Sequence, residues 1–340
     1  MWLLKQIKKF CLILLSCLLV GSLASPALAA PPRTKIVLWF EMSGPAASEL
    51  RSLVKTYNHS QSRYEVVPEF QGTYDEAVQK FFNTHGTKAS PALFQGADLT
   101  TAQIDQSHYT TPVQHFINRD HYSTRQLSPA ALKFYSRHGK QLSMPFNVSQ
   151  PVLYYNRSLF HKYGVAPLPQ SPSYGQVKSA ALHLYHNSHH RAKGLSVEPY
   201  GWLLEEFYSN ANVAFANHDN GKTGTITRVN LRAPISQQTM SWIQSIDRRG
   251  AFVNYGTGSN ADTNEIAGFL ARKVGMFLQS SSQLTQVDQG SHDQIGICNY
   301  PHPVGKRHNG VAIGGGALCI GDDKSQRVQN GDREIINFQV

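Results

Sequence analysis

The sequence predicts an α/β protein of two lobes with a cleft between them. Three observations predict it. Strand-like and helix-like periodicities alternate in two separate series, a short segment of proline and turn formers divides the series, and 340 residues is long for a single core.

The first series opens with the apolar run Lys35 to Glu41, which reads as a buried strand. Ala46, Leu50, Leu53, Val54 and Tyr57 then recur at helical spacing. Tyr64, Val66, Pro68 and Phe70 alternate as in a strand, Tyr74 to Phe82 returns to a helical period, and Pro91 to Gly96 is a short apolar run. This β-α-β-α-β order calls for parallel pairing. The divider is Pro145-Phe146-Asn147-Val148-Ser149. Beyond it, a second series begins with the segment Gln150 to Tyr155, and Val177, Ala180, Ala181 and Leu184 mark the apolar face of a helix. Met240, Ile243 and Ile246 mark a further helix, and Gly275 to Leu278 a later strand. The expected organisation is residues 30–148 with 313–340 in an N-terminal lobe and 149–312 in a C-terminal lobe. Residues from Gly321 onward are mostly polar, with one short apolar cluster at Ile335, Ile336 and Phe338, and read as an incomplete ending.

Residues 1–29 carry the pattern of a cleavable export signal: Lys5, Lys8 and Lys9, an apolar run from Phe10 to Leu23, and the small-residue site Ala27-Leu28-Ala29. The run is shorter than the ~20 residues a spanning helix needs. A lipoprotein start at Cys17 is the alternative. The formal net charge of +10 includes the three leader lysines, which leaves +7 spread along the rest rather than clustered. That distribution, without interleaved aromatic residues, argues against nucleic acid and for a small anionic ligand. Outside the leader only Cys298 and Cys319 remain, either as one disulfide or as two buried strand thiols.

Motifs for nucleophilic, metallo-hydrolytic, nucleotide or dithiol chemistry are absent: there is no Gly-x-Ser-x-Gly, His-Glu-x-x-His, Walker loop or Cys-x-x-Cys. His183, His186 and His190 have a spacing that could place three imidazoles over one metal ion, yet the helix's apolar face points elsewhere and no acidic residue accompanies them, so a solvated face is the better reading. Ser280, Ser281 and Ser282 fall where a strand turns into a helix, suited to a cap or to an anion. Gly314-Gly315-Gly316 strips three side chains from an apolar run, which admits a ligand or a neighbouring backbone. Trp39, Tyr74, Tyr200 and Trp202 stand near turn signals and are candidates to line a cleft.

With these residues laid out, the chain resembles the family 1 extracellular solute-binding proteins of ABC importers. The carriers are Leu38 to Gly44, Gln71 to Glu76, Pro91 to Gln95, Pro145 to Asn156, Gly201-Trp202, Gly275-Met276, Ser280-Ser281 and Ile313 to Gly316. The resemblance implies a type II periplasmic binding protein fold that closes on a ligand between its lobes. It implies no catalysis, no cofactor and no metal. It also implies a monomer in the periplasm that delivers ligand to membrane permease subunits driven by a cytoplasmic ATPase. The implied ligand is sn-glycerol-3-phosphate or a glycerophosphodiester such as glycerophosphocholine, held by Tyr74, Asp98, Ser149, Ser280 and Gly315, with Trp202 as cleft tryptophan. Asp98 stands where the family has glutamate, and Pro199 where it has a second tryptophan. Similar proteins continue for roughly a hundred residues past the point matching Val340, a sizeable part of a domain. The alternatives are a sugar or oligosaccharide as ligand, a truncated remnant with impaired binding, and a secreted phosphodiester hydrolase using the histidines.

Overall fold

The computed structural model describes residues 32–257, 260–303 and 309–339. The export signal expected over residues 1–29 lies outside them. Residues from Thr34 onward form one compact unit built on two sheets, each with helices on its faces.

The first sheet comprises β1 (Thr34–Phe40), β2 (Tyr64–Phe70), β3 (Leu93–Ala97), β4 (Thr110–Thr111), β7 (Met144–Pro145) and β13 (Gly316–Gly321). A small hairpin of β5 (Ser136–Arg137) and β6 (Lys140–Gln141) precedes β7. The second sheet comprises β8 (Pro151–Asn156), β9 (Leu195–Val197), β10 (Phe252–Val253), β11 (Met276–Ser280) and β12 (Ile295–Cys298), in the order β10-β9-β11-β8-β12. β1 pairs in parallel with β2 and β3, in register Thr34 to Tyr64 and Leu38 to Leu93. β13 runs antiparallel to β3 because the chain re-enters the first sheet from the second.

Period-two alternation explains the cores. Ile36, Leu38 and Phe40 face one cluster with Leu93, Leu318 and Ile320, while Val37 and Trp39 face another with Phe94 and Cys319. In the second sheet Leu153, Tyr155, Met276 and Leu278 lie on one side, and Val152, Tyr154 and Phe277 on the other. Helix α1 (Gly44–Ser60) buries Leu50, Val54 and Tyr57, as the spacing predicts. Helix α2 (Tyr74–Thr84) starts at a capping box: the Thr73 N–H donates to Glu76 Oε2 at 2.8 Å, and the Glu76 N–H to Thr73 Oγ1 at 3.3 Å.

Several expectations are refined. Helix α3 (Tyr174–Asn187) ends before His190, and His189 and His190 have φ of 53° and 64°, so the histidines do not share a helical face; His190 stacks on Tyr185 instead. Helix α4 (Gly201–Asn210) precedes α5 (Pro234–Asp247), which buries Ile235, Thr239, Trp242 and Ile246 and leaves Met240 exposed. Cys298 and Cys319 are free and buried in separate cores. The polar residues near the end of the sequence form helix α6 (Gln326–Gln339), which packs on β1 and β13 through the buried Ile335 and Ile336.

Asp332 of α6 is fully buried, and neither carboxylate oxygen has a partner among the described residues. Burial holds its carboxyl far above the usual range, opposed only by Lys324. Asp332→Ala is therefore expected to raise the unfolding free energy at pH 7 by about 1–3 kcal/mol in urea denaturation. An unchanged or lowered value would show that the carboxyl is compensated.

Candidate functional site

The chain passes from the first sheet to the second between β7 and β8 and returns just before β13, and the two crossings touch. Ser149 and Gly314 form an antiparallel bridge in which each N–H donates to the other's carbonyl at 2.9 Å. The glycines, read as admitting a ligand or a neighbouring backbone, form this crossing, and the strand begins only at Gly316. Gly315 has φ of 99°, the left-handed region, and a Cβ there would lie 2.0 Å from the Asn147 carbonyl oxygen. At Gly314 a Cβ would lie 2.5 Å from the Trp202 ring and 3.1 Å from Ser149 Oγ. The small residues thus let Trp202, Ser149 and Asn147 close on one stretch of backbone.

Around this crossing the structure gathers the residues singled out from the sequence. Tyr74, the first residue of α2, accepts hydrogen bonds on its hydroxyl from Gln95 Nε2 (3.2 Å) and Asn147 Nδ2 (3.1 Å), and Gln95 Nε2 also donates to Asn147 Oδ1 (2.7 Å). Asp98 follows β3, and its N–H donates to the Gly315 carbonyl at 2.9 Å. Ser280 ends β11; its hydroxyl accepts from the Ser282 N–H at 3.2 Å and caps the short turn before residues 284–290. The neighbouring Ser281 N–H donates to the Gln150 carbonyl at 2.8 Å, which ties this turn to the residue after Ser149. Trp202 is buried in the second lobe's core with its indole N–H unpaired among the described residues, and its ring centroid lies 6.5 Å from that of Tyr200. Trp39, a candidate cleft residue, is instead core: it is 2% exposed, and its indole donates to Glu69.

Sequence reasoning passed over Gln95, Asn147, Glu205 and Glu206 as site residues. Gln95 is the one polar side chain in the run Leu93 to Ala97, a usable signal. Glu205 and Glu206 lie three and four positions after Trp202 on α4, hence on its face. Glu206 is fully buried, and its Oε2 accepts from the Ala312 N–H at 2.8 Å while Oε1 has no partner among the described residues. Burial pushes the Asp98 carboxyl up to about 7, with the Glu205 charge adding to it. Burial likewise lifts Glu206 to about 8, helped by Asp98 and Glu205, and raises Glu205 itself. Burial raises the Tyr74 and Tyr200 hydroxyls, and carboxylates including Asp98 add to both. Carboxyls from both sides of the crossing therefore share one field, and no lysine or arginine among the described residues relieves any of these groups. Such a site suits ligand hydroxyls as donors to carboxyls, with hydroxyl and backbone N–H groups left for acceptors.

The chain matches the model for bacterial extracellular solute-binding protein over residues 52–338. The chain belongs to that family. It is 27% identical over 317 residues to the sn-glycerol-3-phosphate-binding periplasmic protein UgpB of Rhizobium meliloti (strain 1021), covering 92% of this chain and 72% of that one. It is 26% identical over 318 residues to UgpB of Yersinia pestis, covering 90% and 70%. Among solved structures, UgpB from Mycobacterium tuberculosis in complex with glycerophosphocholine superposes with a TM-score of 0.74 at 17% identity, covering 89% of this chain and 76% of that one. The GacH receptor of Streptomyces glaucescens, solved unliganded and with acarbose, gives 0.73 at 18% identity, covering 90% and 76%. The fold is thus the two-lobed α/β fold of solute-binding proteins, with its cleft between the lobes, and the solute-binding protein is of the ABC-importer type. Among the described residues no helix is long and apolar enough to cross a membrane.

Two outcomes follow from this geometry. Gly315→Ala forces a side chain into the left-handed region and against Asn147, and is expected to cost about 1–3 kcal/mol of stability; unchanged urea unfolding would contradict the close approach. Because the folded-state carboxyl of Asp98 titrates near 7, and an ordinary aspartate titrates near 4, the folded protein binds more protons than the unfolded one between these values, and stability falls as pH rises through that window. Asp98→Asn should flatten the slope by up to ~1.4 kcal/mol per pH unit; parallel melting-versus-pH curves for wild type and variant would exclude the shift.

Proposed function

We propose that this solute-binding protein captures sn-glycerol-3-phosphate or a glycerophosphodiester in the periplasm and delivers it, as a monomer, to the permease of an ABC importer. The observation that carries this reading is the match to proteins named sn-glycerol-3-phosphate-binding over nine-tenths of the chain. The cleft chemistry supports it. Tyr74, Ser149 and Ser280 bring hydroxyls that can donate to phosphate oxygens, and the Gly315 N–H faces no acceptor among the described residues. Asp98 would accept from glycerol hydroxyls. Tyr200, exposed beside the buried Trp202, offers an aromatic face to a cationic head group such as choline, with the carboxyls nearby.

A second reading, a neutral sugar or polyol, draws on the concentration of carboxyls at the crossing, which disfavours a ligand with net negative charge. Titration calorimetry with sn-glycerol-3-phosphate, glycerophosphocholine, ribitol and maltose separates the two. Ser280→Ala is expected to weaken a phosphorylated ligand by about 1–3 kcal/mol and to leave ribitol less affected. Equal losses for both would refute the phosphate assignment, and preferred binding of ribitol or maltose by the wild type would select the second reading.

A further inference from the structure

Glu41 follows β1 immediately, at the end of the strand where open α/β sheets bind ligands. It is 8% exposed, and both carboxyl oxygens are buried without a hydrogen-bond partner among the described residues. Its surroundings belong to the cleft. The Glu41 N–H donates to Gln95 Oε1 at 3.0 Å, and the same amide donates through Nε2 to the Tyr74 hydroxyl and to Asn147. Along β1, Val37 and Trp39 face the cluster that α2 covers, and Glu41 continues that alternation toward Tyr74 at the start of α2. The two side chains are close enough for the Glu41 charge to raise the Tyr74 hydroxyl, as does that of Asp98.

A buried carboxyl with both oxygens unpaired costs free energy that native proteins rarely leave uncompensated. Neither core cluster of this sheet offers it a partner, and burial holds the group well above the carboxylate range. The polar atoms missing from its environment are donors, and Tyr74 and Asn147 of the adjoining network are only half-buried. We propose that Glu41 is a further ligand-contact residue, whose carboxyl accepts the hydroxyls of a polyol end and sets the ligand's direction in the cleft. This rests on the reading of the cleft as the solute site. A phosphate placed beside Glu41 and Asp98 would oppose like charges, so the hydroxyl end lies against these two carboxyls and the phosphate against Ser149, Ser280 and the Gly315 N–H. The ligand class that satisfies both ends carries free neighbouring hydroxyls.

The test is titration calorimetry of wild type, Glu41→Ala and Glu41→Gln with sn-glycerol-3-phosphate, with ribitol, and with propyl phosphate, which keeps the phosphate and lacks the hydroxyls. Glu41→Ala should weaken binding of the hydroxylated ligand about 10- to 100-fold, with Glu41→Gln between it and wild type, while propyl phosphate changes less than about twofold. Melting temperatures of the free variants should equal or exceed that of the wild type, because an unpaired buried carboxyl has been removed; a purely structural role for Glu41 would lower them. Wild-type affinity for the hydroxylated ligands in both variants overturns the assignment of Glu41 alone. A wild-type protein that binds none of the three probes overturns the solute-site reading as well, and that failure appears in the wild-type arm.

Discussion

The reciprocal hydrogen bonds between Ser149 and Gly314 join the outgoing and returning crossings, and the rest of the cleft hangs on that junction. The bridge holds when the returning chain can run close beside the outgoing one, which requires glycine at 314 and 315. From it the Gly315 carbonyl reaches the Asp98 N–H on one side, while Ala312 reaches Glu206 on the other. Residues from β3, α2, α4 and both crossings are thereby brought together although up to about two-thirds of the chain separates them in sequence. A junction of two extended strands is also compliant. Lobes joined by two adjacent segments can rotate about them while each core stays intact.

The electrostatics of the cleft follow from the same closeness. Asp98 belongs to the first lobe and Glu205 and Glu206 to the second, yet Glu205 adds to the field on Asp98 and both add to that on Glu206, and burial keeps all three from their ordinary ionisation. A ligand bringing hydroxyl donors or a cationic group between them would relieve that field. The hydroxyl and backbone donors near Ser149 and Gly315 make the complementary half. An ester of glycerol phosphate meets both halves at once, and a neutral polyol meets the carboxyl half.

Much of this was legible in the sequence, for reasons that can be located. The first strand and helix stand out because Lys35 to Glu41 is an apolar run and Leu50, Val54 and Tyr57 recur at the helical period. The divider at Pro145 to Ser149 and the three glycines at 314–316 mark the crossings, because proline and glycine signal backbone needs directly. What stayed hidden depends on tertiary contact. Asn147 reads as a turn former until Tyr74 is seen to bond with it, and Glu206 reads as a surface acid until Ala312 is found against it. The end of α3 before His190 is set by left-handed backbone at two histidines, which no periodicity reveals. The polar character of residues 326–339 concealed a helix, because only a narrow stripe containing Ile335 and Ile336 is needed to seat it on β1 and β13.

The central claim is that the two lobes close on a small hydroxylated phosphate ester held at the junction between them. Small-angle X-ray scattering of the purified protein with and without saturating sn-glycerol-3-phosphate or glycerophosphocholine tests it most directly. A smaller radius of gyration in the presence of ligand is the expected result. Scattering curves that superimpose, from a folded sample at millimolar ligand, would contradict it.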